Sequence, residues 1–293
     1  MNLQLVAIEL SIDEQVLATA DAYRLHLEAA AQTALAGPTN ADARLVVFPE
    51  LAGHLALYAL AGPAAHRATT VAGALAAAAL RRPWSVLRGL ASTRRLDGRH
   101  AVLAALAPDG ERWWKQVFAS LARRHHAWVV AGSHLRVALD GGLTNASHLF
   151  DPDGRLVATT DKVNLNPGVE DGTGLALSRA DPDALPIART PFGTIATLIG
   201  YDAALEPRSP HERFASLPQH LARRGGVTVV ANPASNFPEG LAPALPAIGA
   251  YGVTARLAGD VLDLHFEGGS EVLERIGPDV RVLGARAVVH ARS

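Results

Sequence analysis

Short apolar runs that end in polar residues alternate with stretches of helical periodicity along nearly the whole of this chain. That alternation is what most constrains the fold, because strands and helices exchanged in this order pack as layers of an α/β architecture. At 293 residues the chain is long enough to cover large sheets with helices. No glycine- or serine-rich linker, charge block or internal repeat divides it, so residues 1–293 are expected to form a single domain.

Residues 3–10 are expected to form the first strand. Ser11-Ile12-Asp13-Glu14 has the form of a capping box, in which a hydroxyl and a carboxylate satisfy free N–H groups at a helix start. The helix it predicts runs to about Ala36, with Val16, Ala20, Tyr23, Leu27 and Ala30 on one face. Residues 44–48 form a short strand ending in Pro49-Glu50. Helices are expected over 63–82 and 111–126, whereas 83–110 shows no clear pattern. A buried strand covers 127–134. Strands 145–150 and 156–160 flank Asp151-Pro152-Asp153-Gly154, whose turn chemistry predicts a hairpin. Residues 187–189 and 194–199 are strand-like. A second capping box, Ser209-Pro210-His211-Glu212, predicts a helix that Pro218 breaks or restarts. Another buried strand follows at 227–231, and 261–289 alternates enough for two or three strands.

Hydrophobic residues make up 49% and charged residues 19% of the chain, which excludes a disordered polymer. The net charge is −1 with basic residues scattered, so nucleic acid and anionic membrane are not expected partners. No apolar run is long enough to span a bilayer, and a cytoplasmic address is expected by default. Of 27 basic residues only Lys115 and Lys162 are lysine. In a chain that uses arginine almost everywhere else, each lysine is a candidate for a place where a guanidinium would not fit or would not work.

Three segments deliver polar residues from strand ends, where α/β folds place their sites. They are 45–51, Leu-Val-Val-Phe-Pro-Glu-Leu; 161–165, Asp-Lys-Val-Asn-Leu; and 197–202, Thr-Leu-Ile-Gly-Tyr-Asp. Together they resemble the signature segments of the nitrilase superfamily, the carbon–nitrogen hydrolases. Further likeness comes from 121–132, from 221–233 with its Asn232-Pro233, and from Phe266-Glu267-Gly268-Gly269-Ser270. The resemblance covers nearly the whole chain and implies a four-layer α-β-β-α sandwich. It also implies a general-base glutamate, a lysine that stabilises the oxyanion, a second glutamate that orients substrate and lysine, and a cysteine nucleophile. Glu50, Lys162 and Glu170 match the first three. Tyr201, Asp202 and Asn232 are expected to contact a ligand.

The position of the nucleophile is Gly200, followed by Tyr201 and Asp202 as in the family pattern. Glycine offers no attacking atom, and the chain contains no cysteine at all. Thr197 lies three residues earlier on the strand and faces the other way. Covalent catalysis of the family type is therefore excluded. Three functions remain open. The chain is a catalytically silent binder of a small amide, acid or amine; a slow hydrolase in which Glu50 activates water; or a structural subunit, since members of this family tend to dimerise beside the elbow. A homodimer or higher homo-oligomer is the expected assembly. No cofactor is expected. His125-His126 and His211 beside Glu212 lack metal-ligand spacing, so no metal is expected there. Asn145-Ala146-Ser147 has the form of a glycosylation acceptor, without meaning for a cytoplasmic chain.

Overall fold

The computed structural model describes residues 1–81, 98–138, 140–172, 174–236 and 240–291. The first half carries β1 (Asn2–Ala7), β2 (Leu10–Ile12), α1 (Ala20–Ala34), β3 (Ala43–Val47), α2 (Ala52–Ala61), α3 (Val71–Arg81) and α4 (Gly98–His125). Strands β4 (Trp128–Val130), β5 (His134–Val137), β6 (Leu143–Phe150) and β7 (Leu156–Asp161) follow. The second half carries β8 (Ile187–Thr190), β9 (Gly193–Thr197), α5 (Leu217–Arg223), β10 (Val227–Pro233), α6 (Leu245–Ile248) and β11 (Gly249–Ala255). It ends with β12 (Leu257–Val261), β13 (Leu264–Glu267), β14 (Glu271–Ile276), β15 (Asp279–Val282) and β16 (Arg286–His290).

One sheet has the order β16-β1-β3-β4-β6-β5, with β7 on the other edge of β6; the second has the order β15-β14-β11-β10-β9-β8. Each has a parallel centre, β1-β3-β4 in one and β9-β10-β11 in the other. Side chains alternate across a strand, and β3 shows what that does here. Val46 turns outward to pack with Tyr23, Trp114 and Phe118 of the helices. Leu45 and Val47 turn inward and meet Ile195, Val229 and Val253 of the other sheet. The outer face of the second sheet, through Val230 and Leu273, packs on Leu217, Leu221 and Leu245 of α5 and α6. These interfaces make the four-layer α-β-β-α sandwich. Each fully buried Val or Leu in them contributes about 1.5–3 kcal/mol.

Several elements differ from the expectations. The first strand is shorter, and Ser11 lies in β2, which pairs with β12 in a small third sheet. The Asp13 carboxylate accepts from the Gln15 and Val16 N–H groups in a local turn. Helix α1 instead starts after Thr19, whose hydroxyl accepts from the Ala22 N–H. At the second supposed capping box residues 209–212 form a turn, because Glu212 accepts a hydrogen bond from the Tyr201 hydroxyl at 2.6 Å. The helix there begins at Leu217, with Pro218 in its first turn, where a missing N–H is harmless. Helix α4 starts at Gly98, so it takes in 98–110, and residues 83–97 of the unpatterned stretch, with residue 82 of the expected helix 63–82, lie outside the described residues. The tail holds four strands, β13 to β16, where two or three were expected.

The expected strand 127–134 is interrupted at Gly132. Its φ of +56° is open to glycine, and a Cβ there would stand 2.1 Å from the Pro49 carbonyl oxygen. This close approach brings the Phe48-Pro49-Glu50 segment against the end of β4.

Candidate active site

Glu50 follows β3, Lys162 follows β7, and Gly200 follows β9 after a short Leu198-Ile199 link, so three strand ends converge. The Glu50 turn is fixed from both sheets. Its N–H donates to the Ala234 carbonyl, while the Leu51 N–H donates to Ser133 Oγ and the Gly53 N–H to the Ser133 carbonyl. Lys162 continues the β6–β7 pairing through its own N–H, which donates to the Asn145 carbonyl at 2.8 Å.

Lys162 Nζ lies 2.6 Å from Glu50 Oε1 and 2.6 Å from Glu170 Oε2. Asn145 Nδ2 bridges the same two carboxylates, donating to Glu170 Oε1 at 2.8 Å and Glu50 Oε1 at 3.2 Å. Ser235 Oγ donates to the other oxygen of Glu50, and the Asn166 N–H to Glu170. Glu50, Lys162, Glu170 and Asn145 are all buried, with at most 2% of their surface exposed. Buried charges persist when paired and hydrogen-bonded in this way.

The three ionisable groups respond differently. Burial opposes charge on Lys162, but the two carboxylates outweigh it and raise its pKa. Burial also pushes both carboxyls upward. At Glu170 the Lys162 ammonium and the donors Asn166 and Asn145 outweigh burial, and the pKa falls. At Glu50 burial prevails over Lys162, with the Glu170 charge adding to the rise. One ammonium thus faces two carboxylates that it affects unequally, and Glu50 is the one that more readily holds a proton.

Gly200 lies beside Glu50 in a left-handed conformation, φ +49°. A Cβ on residue 200 would stand 2.3 Å from Glu50 Oε2 and 2.9 Å from Glu50 Cδ. The carboxylate fills the space where a side chain would begin.

The side chains of Tyr201, Asp202 and Asn232 are engaged by protein groups. Tyr201 is buried, bonded to Glu212, and packed against Phe214. Asp202 accepts from the N–H groups of Val163 and Asn164, which ties the elbow to the loop after Lys162. Burial, opposed by Lys162 and those N–H groups, pushes its carboxyl up to about 7. Asn232 Nδ2 donates to the Leu198 carbonyl at 2.7 Å and holds β10 to the segment that leads into Gly200.

Asn145 and Ser235 complete the cluster without having been singled out in the sequence. A polar residue in a strand whose every position is buried would have been a signal for Asn145. Next to the cluster lies a cavity of about 380 Å³. Leu51 and Val169, the chain neighbours of Glu50 and Glu170, contribute to its wall, as do His54, Leu57, Leu103 and Leu135.

By its stacked sheets and outer helices the molecule is a nitrilase-type α/β protein. Residues 11–206, two thirds of the chain, match the family model described as carbon-nitrogen hydrolase, and the chain belongs to that family. Its fold is similar to that of NitN amidase from Nesterenkonia sp. AN1, at 17% identity and a TM-score of 0.56, covering 98% of this chain and 91% of that one. Saccharomyces cerevisiae Nit3, a member of branch 10 of the nitrilase superfamily, is similar at 17% identity and TM-score 0.58, with 99% and 90% covered. A carbon-nitrogen hydrolase from Helicobacter pylori G27 gives 12% identity and TM-score 0.59, with 99% and 88% covered. In another structure of the Nesterenkonia amidase, acrylamide has added to the active-site cysteine. No curated protein sequence matches the chain. Among the described residues, no helix is long and apolar enough to cross a membrane.

Proposed function

We propose that this protein is a catalytically silent carbon–nitrogen hydrolase homologue that binds a small amide, acid or amine with an apolar body. The observation that carries this is the position of Glu50: its carboxylate occupies the space into which a nucleophile at residue 200 would project. With no thiol and at most 1% of Glu50 or Lys162 exposed, the acid, cation and second acid act as a charged core. That core holds Leu51 and Val169 in the wall of the apolar cavity. His54 adds one polar group to the wall; its Nδ1 has no partner among the described residues. Burial holds its pKa down at about 4, so at neutral pH the ring is uncharged and its free nitrogen is an acceptor for an amide N–H or an ammonium group. The cytoplasmic address and the homodimer belong to the same proposal.

The test compares the wild-type protein with Gly200→Cys on simple amides, nitriles and carbamoyl amino acids of increasing apolar size. The wild type should release no product, while some compounds raise its melting temperature. The variant should gain a reactive thiol only by displacing Glu50, so alkylation should outpace acylation detected by intact mass. Wild-type hydrolysis that disappears in Glu50→Gln would instead establish a water-activating hydrolase and overturn the proposal.

A further inference from the structure

Helix α4 lies on the face of β5 and β6 that points away from the second sheet. There Glu111, His134 and His148 bring one potential ligand atom each to within 4.8 Å of one another. The strands explain the meeting. His134 pairs with Ala146, so His148, two residues further along β6, is its diagonal neighbour on the same face. Asn145, at odd spacing, serves the charged cluster from the opposite face.

Both imidazoles are 1% exposed, and their centroids are 4.4 Å apart. Among the described residues, neither nitrogen of His134 has a hydrogen-bond partner, and neither has Nε2 of His148. The latter stands 3.6 Å from Glu111 Oε1, beyond hydrogen-bond reach. Three unpartnered buried ring nitrogens beside a carboxylate are costly unless another group satisfies them. Further around the ring, His148 Nδ1 is 3.0 Å from Thr159 Oγ1. Either group can donate in that contact; in the tautomer whose Nδ1–H donates to the hydroxyl, the Nε2 lone pair is free, as ligating histidines require.

We propose that Glu111, His134 and His148 bind a divalent first-row transition ion of the zinc class. Two imidazole nitrogens and one carboxylate oxygen are a donor set that such ions accept, with water completing the shell. Tetrahedral bonds of about 2.1 Å set ligand atoms roughly 3.4 Å apart, so the His148–Glu111 separation already fits and the separations to His134, at most 4.8 Å, close by no more than about 1.4 Å. The exposed side of Glu111, 18% of its side chain, gives entry. Lys115 Nζ holds the Glu111 oxygen at 2.6 Å from one turn along α4. Its side chain is 40% exposed, so an arriving cation can displace it into solvent. Bound, the ion clips α4 to β5 and β6.

The experiment strips the full-length protein with a chelator and titrates it with zinc against a chromogenic chelator, and with cobalt(II) followed by its visible absorption. The wild type should take up one equivalent. His134→Gln and His148→Gln should each weaken binding at least about tenfold, and Lys115→Met should strengthen it. Glu111→Gln, altered at the exposed side, should fold normally and lose the cobalt spectrum. Absence of stoichiometric uptake, or uptake that survives both histidine substitutions, overturns the proposal; surface groups such as His265 and Asp260 would then hold the ion.

Discussion

The two lysines of this chain sit in opposite surroundings, and that difference carries a prediction. Lys162 is fully buried between two carboxylates, whereas Lys115 forms an i,i+4 pair with Glu111 on the surface of a helix. Removing the first leaves Glu50 and Glu170 facing each other without a cation, and breaking a buried pair costs about 3–5 kcal/mol. Removing the second loses a helical pair worth about 0.2–0.5 kcal/mol. Metal-free Lys162→Met should therefore unfold at far lower urea than metal-free Lys115→Met; equal midpoints would show that the cluster contributes no net stability. At this scale Glu50, Lys162 and Gly200 could be picked out because each lies in a local motif, Glu170 came only from the family resemblance, and the structure brings the four together. Asn145 could not be picked out: its strand position is polar in a way that also fits a glycosylation motif. The pair His134 and His148 was hidden too, since 13 intervening residues fold back through a hairpin before the rings meet.

Between elements, Asp202 fastens the turn after β9 to the loop after β7 through two backbone N–H groups. Its carboxyl is raised to about 7 from 3.8 by burial. The folded state thus holds this proton more tightly than the unfolded chain does. The resulting stability is complete below the unfolded value and is lost as pH rises from about 4 through 7. Asp202→Asn keeps an oxygen for Asn164 and cannot ionise. It should remove this part of the pH dependence of urea unfolding, measured from pH 5 to 8; a variant with the wild-type slope would exclude Asp202 as its source. Strands were the elements that sequence periodicity placed well, as β3, β6, β7 and β10 show. Helix starts failed at Ser11 and Ser209, because both supposed caps have competing partners. Ser11 is held in β2 by its pairing with β12, and Glu212 is taken by Tyr201. A capping motif cannot reveal such tertiary competition.

For the molecule as a whole, the layer arrangement followed from the family motifs and the strand–helix order, but the pairing of first and last strands did not. Strand β16 pairs antiparallel with β1, and the core between the sheets draws on Leu3, Leu45, Val229 and Val289 alike. We propose that residues 1–293 therefore form one domain. Heating followed by tryptophan fluorescence and by far-ultraviolet circular dichroism should give one coincident transition. Two separated transitions would divide the chain into independent units. The β1–β16 pairing also has a consequence during translation. At about 5–20 residues per second, the ribosome makes β1 on the order of tens of seconds before β16. Throughout that interval one edge of β1 offers bare N–H and carbonyl groups beside apolar Leu3 and Leu5, an invitation to pair with another nascent chain. The newborn protein should depend most on chaperones just before β16 emerges.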